Sequence, residues 1–152
     1  MKLENFKYKT DDNNTINYYE IDNGKPVLLI IHAQSTNSSS YSNVIKDLCK
    51  MFHLILVDCY GHGKSSHNKE KYNIVSQGDD LIDFIKSKCD GKISVLGHSS
   101  GGLIACYIAS KSDLCDNLIL EDPPLFSSAG DKRFDYYNYH DLSTVCHKFI
   151  NQ

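Results

Sequence analysis

Ile93-Ser94-Val95-Leu96-Gly97-His98-Ser99-Ser100-Gly101-Gly102-Leu103-Ile104-Ala105-Cys106-Tyr107-Ile108 is the stretch on which the reading of this chain turns. It opens with a short, mostly apolar run, Ile93–Leu96. It closes with Leu103, Ile104, Tyr107 and Ile108 at the spacing of one helix face. Between the two lies G-x-S-x-G, Gly97 to Gly101, so a buried strand must turn into a helix within a few residues. Such a turn predicts a strained backbone at Ser99, with its hydroxyl lifted above the sheet. Side chains at positions 97 and 101 would collide with neighbouring backbone, which explains the two glycines. A serine at the head of a helix also meets free N–H groups and the positive end of the helix dipole, which favour an oxyanion. These features make Ser99 the candidate nucleophile.

Outward from this stretch the same alternation repeats. Apolar runs at Val27–Ile31, Leu54–Val57 and Leu118–Leu120 accompany Ile93–Leu96, and each reads as a strand buried on both faces. Helical stripes separate them. Val44, Ile45, Leu48, Cys49 and Phe52 form one, and Ile74, Val75, Gly78, Leu81, Ile82 and Ile85 form another. Residues 6–21 alternate instead around Asp11–Asn14, as an antiparallel hairpin does. The expected fold class is therefore α/β: a mostly parallel sheet with helices on both faces and an N-terminal antiparallel hairpin.

Composition narrows the function. With 152 residues, 41% hydrophobic and 23% charged, the chain is long and apolar enough for one folded domain. A formal charge of -3 without a Lys/Arg run offers no footprint for nucleic acid or a membrane surface. The N-terminal MKLENFKYKT has no apolar core of the kind a secretion signal needs, and Val27–Ile31 is too short to span a bilayer. A soluble, cytoplasmic protein is expected. Its six cysteines (Cys49, Cys59, Cys89, Cys106, Cys115 and Cys146) are scattered with no CxxC pair, so reduced thiols are expected rather than a disulfide framework. No cofactor or metal site is expected.

The order of elements and three motifs resemble the α/β-hydrolase fold superfamily, from its first strands through the sixth. The first motif is the elbow at Ser99. The second, Ile31-His32-Ala33-Gln34, is similar to the His-Gly segment after the third strand of that family. The resemblance implies that Gln34 and Ser100 supply the two backbone N–H groups of an oxyanion hole. Ala33 replaces the usual Gly, and a positive φ at that site would cost on the order of 1 kcal/mol. The third motif, Asp58-Cys59-Tyr60-Gly61-His62-Gly63-Lys64-Ser65, is similar to the family's D-x-x-G-x-G-x-S loop. Gly63-Lys64-Ser65 also resembles the end of a phosphate-binding P-loop, but that motif requires Gly where this chain has Asp58, and the next helical pattern starts only near residue 74. A tight structural loop beside the site is the better reading.

The resemblance implies a serine hydrolase of the esterase, lipase or acyl-transfer type acting on a small-molecule ester or acyl substrate. In the family the acid follows the seventh strand and the base histidine follows the eighth. Neither has a counterpart here, since His32, His62 and His98 belong to motifs, and His140 and His147 fall where a lid would begin. Some members carry the acid after the sixth strand, which makes Glu121 and Asp122 candidates, with a strand-end cap before Pro123-Pro124 as the competing role. Such a domain usually runs ~200–250 residues. The expectation is thus an incomplete α/β-hydrolase fold: a partial core over 1–130, the start of a lid over 131–152, and a truncated chain weakly active or inactive alone. A non-catalytic binding remnant, one half of a split hydrolase, and a cofactor-free lyase or peroxidase stay open as alternatives. On this reading the strand at Leu118–Leu120 is a sheet edge, and edges recruit partners. The isolated chain is expected to self-associate or to need a complementing C-terminal fragment. Sedimentation at micromolar concentration tests this, and a stable monomer would overturn it.

Overall fold

A computed structural model describes residues 2–125. The N-terminal alternation forms β1 (Glu4–Lys9) and β2 (Thr15–Ile21), an antiparallel pair in which Lys9 faces Thr15. Its turn is closed by Thr10, whose hydroxyl donates to the Asp12 carboxylate at 2.6 Å. Then come β3 (Val27–Ile31), a short helix α1 (Ile45–Leu48), β4 (His53–Val57), α2 (Ile74–Lys88), β5 (Ile93–His98), α3 (Ser100–Lys111) and β6 (Cys115–Glu121). The six strands form one sheet in the order β1-β2-β4-β3-β5-β6. The pairs β4–β3, β3–β5 and β5–β6 are parallel, whereas β2 joins β4 antiparallel.

Strand β3 shows why these runs carry almost no polar residue. Leu28 to Ile31 are all 1% exposed or less, and so are Leu54 to Val57 of β4. Side chains alternate between the two faces of the sheet. Leu29, Ile31, Ile55, Val57 and Val95 join Leu81, Phe84, Ile104 and Ile108 of α2 and α3 on one face. Leu28, Ile30, Leu54 and Leu56 meet Tyr41, Ile45, Leu48 and Phe52 on the other. Helix α2 begins at an Asn73 cap that accepts the Ser76 N–H at 2.8 Å, and Gly78 lets it press onto Tyr107 of α3.

Two elements depart from the sequence expectation. The stripe from Val44 to Phe52 makes only the four-residue α1, which buries no residue completely, and Val44 and Met51 are exposed. Strand β6 runs from Cys115 to Glu121 with alternating exposure, not as a run buried on both faces. Leu118 and Leu120 join the core of the α2–α3 face, whereas Ile119 is 41% exposed on the opposite one. Among the described residues β6 is the outer strand at its end of the sheet. The tail segment read as a helix from Leu142 to Ile150 lies outside the described residues.

The parallel register brings Val57, Ile31, Gly97 and Leu120 into one row, so four strands end at a common level. A buried carboxylate fixes that end. Asp58, 2% exposed, accepts the Ser38 N–H at 3.0 Å and hydroxyl at 2.7 Å, the Asn17 amide at 2.9 Å and the Lys64 N–H at 3.0 Å. Burial alone would raise its pKa, but these hydrogen bonds overcome it and hold the carboxyl below its usual range. Gly63 is required here, because a Cβ would lie 2.1 Å from the carboxylate. Ser65 closes the ring, donating to the Asp58 carbonyl at 2.6 Å and accepting the Asn17 N–H at 2.8 Å. Asp58→Ala leaves several buried donors without an acceptor and is expected to destabilise the chain by about 3 kcal/mol. Urea denaturation measures this, and a loss under ~1 kcal/mol would overturn the anchor role.

Candidate active site

Strand β5 and helix α3 meet at Ser99, where the backbone adopts φ 50° and ψ -118°. A positive φ is costly for a residue with a Cβ, and such strain persists only where neighbours enforce it. The neighbours are visible. The Ser99 N–H donates to the carbonyl of Glu121 at the end of β6 (2.8 Å), and its carbonyl accepts the Gly102 N–H (2.9 Å). Its side chain caps no N–H of α3. The two glycines of the motif are held by contact distances. A Cβ on Gly97 would lie 2.4 Å from the Gly101 carbonyl oxygen, and one on Gly101 would lie 2.4 and 2.5 Å from those of Ile31 and His32. The start of α3 therefore sits directly on the end of β3, which brings Ser100 beside the loop that carries Gln34.

That loop is a tight turn. The Thr36 N–H donates to the Ala33 carbonyl at 3.3 Å, and Ser35 takes φ 63°, the left-handed position of a type II turn. Gln34 and Ser35 are the exposed residues at its tip. Ala33 does not occupy the left-handed region, so the strain anticipated for an alanine there is absent, and the positive φ falls two residues later.

Two histidines tie this loop to the one after β4. His32 is 1% exposed; its Nδ1 lies 2.7 Å from the Ala33 carbonyl and its Nε2 accepts the Cys59 N–H at 2.9 Å. Accepting at Nε2 places the proton on Nδ1, where it can donate to Ala33. Burial pushes the pKa of His32 below its ordinary value, opposed by the bond to Ala33. His62 repeats the arrangement, with Nδ1 3.0 Å from the Tyr60 carbonyl and Nε2 accepting the Ser35 N–H at 3.1 Å. Both rings spend both nitrogens on backbone groups, which removes them as free bases.

The remaining candidates divide. Glu121, the last residue of β6, and Asp122 after it are exposed; Glu121 reaches Ser99 through its carbonyl, and Asp122 has φ 45°. Glu121 lies opposite His98 in the β5–β6 register, but among the described residues neither carboxylate is hydrogen-bonded or ion-paired to a histidine. His140 and His147 lie outside the described residues. One polar group went unread in the sequence: Tyr41, whose hydroxyl is buried with no hydrogen-bond partner among the described residues.

A model of the alpha/beta hydrolase fold family matches residues 26–143. Among curated proteins, the human serine hydrolase-like protein is 29% identical over 117 residues, covering 75% of this chain and 58% of the relative. A 2-hydroxy-6-oxo-6-(2'-aminophenyl)hexa-2,4-dienoic acid hydrolase of Metapseudomonas resinovorans is 33% identical over 107 residues, 68% of this chain and 37% of that protein. Among solved structures, a thioesterase domain from the curacin biosynthetic pathway superposes with a TM-score of 0.74 at 25% identity, covering 82% of this chain and 46% of that one. An N-acyl homoserine lactonase gives 0.76 at 20% identity, over 85% and 49%. The chain spans 30% of an uncharacterized Mycobacterium tuberculosis relative, and 58% of the human one.

The His32 clamp carries a pH signature. Its folded pKa lies below the 6.5 of a free imidazole, so the unfolded chain binds the proton more readily. The clamp's contribution is complete above that value and is lost as pH falls below it. Thermal midpoints are expected to drop between roughly pH 7 and pH 5, and His32→Gln should flatten that slope. Identical slopes in the two proteins would overturn the neutral-clamp assignment.

Proposed function

The chain belongs to the alpha/beta hydrolase fold family, and from that premise we propose that it is the nucleophile-bearing part of a serine hydrolase of the esterase, lipase or acyl-transfer type. The observation that carries the reading is Ser99 itself: a serine at φ 50° between a buried strand and a helix, with its hydroxyl capping nothing. In this reading the Ser99 Oγ attacks the carbonyl carbon of a small-molecule ester. The new O–C bond forms, the ester C–O bond breaks, and the leaving alcohol departs with the proton that Ser99 gives up. Water then attacks the acyl group, releases the acid and returns a proton to Ser99. The N–H groups of Gln34 and Ser100 stabilise the oxyanion, helped by the N-terminal end of α3.

The base is the open position. His32 and His62 are committed to backbone groups, and among the described residues no carboxylate is hydrogen-bonded to His98, the imidazole next to Ser99, although Glu121 lies opposite it in the β5–β6 register. The 152-residue chain is accordingly proposed to be weakly active or inactive by itself, with the oxyanion donors leaving a residual rate. Relatives that include hydrolases of small organic acids support a small-molecule ester or acyl substrate.

A fluorophosphonate probe tests the assignment. Slow labelling that maps to Ser99 by peptide mass and vanishes in Ser99→Ala is expected, together with trace turnover of activated esters. Labelling elsewhere, or persisting in the alanine variant, would sink it.

A further inference from the structure

Among the described residues the Gln34 N–H donates to no acceptor. Its direction is set from the other end of the same peptide unit. A peptide bond is planar, and every described one is trans, so the Ala33 carbonyl and the Gln34 N–H point in opposite directions from one rigid plate. Holding the oxygen aims the hydrogen.

Three donors converge on the Ala33 oxygen. The Thr36 hydroxyl donates to it at 2.7 Å, His32 Nδ1 lies 2.7 Å away, and the Thr36 N–H closes the turn at 3.3 Å. The hydroxyl has one proton and spends it on Ala33, so its oxygen is the acceptor in the 3.3 Å contact with His32 Nδ1. Hydroxyl, imidazole and carbonyl close a small ring under the loop. The peptide after Gln34 is held as well, because the Ser35 N–H donates to His62 Nε2 at 3.1 Å. The base of the loop rests on the start of α3, where a Cβ on Gly101 would lie 2.5 Å from the His32 carbonyl oxygen. His32 and His62 also join the loop to the segment after β4, whereas the Thr36 hydroxyl bonds only within the loop among the described residues. A turn of this kind stands on its N–H bond, so a hydroxyl added to the same oxygen contributes direction rather than the turn itself.

We propose that Thr36 is a positioning residue: its hydroxyl, by holding the Ala33 carbonyl, aims the Gln34 N–H at the oxyanion that forms when Ser99 attacks. An oxyanion donor works by being fixed before the charge develops, so a loosely held peptide would lose much of its effect. The inference rests on the reading of Ser99 as nucleophile and of Gln34 as oxyanion donor.

The test follows phosphonylation of Ser99 in the full chain by a fluorophosphonate, read by intact mass. In this step the Ser99 Oγ–P bond forms, fluoride leaves with the bonding pair, and the serine proton passes to water. The phosphonyl oxygen then takes the place of the oxyanion. Thr36→Val keeps the shape of the side chain and the N–H that closes the turn, but removes the hydroxyl. It is expected to label roughly threefold to tenfold more slowly, whereas Thr36→Ser should stay within about twofold of the wild-type rate. In isotope-labelled chains the Gln34 amide proton should move downfield on phosphonylation of the wild type, and should move less in Thr36→Val. Should Thr36→Val fail to fold, Thr36→Ala replaces it with the same expected loss. Labelling of the hydroxyl-free variant at the wild-type rate, or Thr36→Ser as slow as that variant, would overturn the role of Thr36 while leaving Ser99 and Gln34 in place. A slower rate with an undiminished Gln34 shift would overturn it too, by exposing a merely structural effect. A Gln34 amide that stays still in the phosphonylated wild type would overturn Gln34 as donor, and this inference with it, but not Ser99. No labelling of Ser99 would overturn the nucleophile assignment itself.

Discussion

The approach of Gly101 to the carbonyl oxygens of Ile31 and His32 is the contact on which the arrangement of this site rests. It exists only because β3 and β5 lie side by side in parallel register, Ile31 opposite Gly97, so that the helix leaving β5 must pass over the end of β3. With hydrogen in place of a side chain, the first turn of α3 settles onto that strand end. Any larger residue would lift the helix off that strand end. The strained backbone at Ser99 follows from the same geometry, because the chain has no other way to turn from the strand into a helix so closely docked.

Around that contact the loops are held mostly by buried polar groups rather than by apolar packing. Asp58 gathers donors from β2, from the turn before Tyr41 and from the Gly63 loop, while His32 and His62 stitch the Gln34 loop to the segment after β4. Hydrogen bonds of this kind are directional, so they set the orientation of backbone N–H groups in a way that a greasy contact cannot. This explains why the D-x-x-G-x-G-x-S loop is rich in small and polar residues. Its acceptor is already built in.

How much of this could be read beforehand depended on how local the cause was. Val27–Ile31 was legible to the residue, because two-sided burial leaves an unbroken apolar run in the sequence. The elbow was legible because the glycines report backbone collisions. The stripe from Val44 to Phe52 misled, since helical spacing also suits a coil that drops occasional side chains onto a sheet, and only Ile45–Leu48 is regular. The strain at Ala33 was misplaced by two residues because the identity of a turn depends on its closing bond, from Thr36 to Ala33. Tyr41 left no trace at all. Its hydroxyl is conspicuous only once the residue has packed against the sheet.

The parallel strand pairs have a consequence for the order of events during folding. β3 and β5 are more than sixty residues apart in sequence, and neither the elbow nor the Gln34 loop gains its partner until that long loop has closed. The hairpin β1–β2 and the helices can form early from neighbours along the chain. The end of the sheet that carries Ser99 must come late, and the energy stored in its backbone is invested only after the scaffold that sustains it is in place. A nascent chain therefore carries its candidate nucleophile as an ordinary, relaxed serine for most of its folding, and becomes chemically distinctive in the last step.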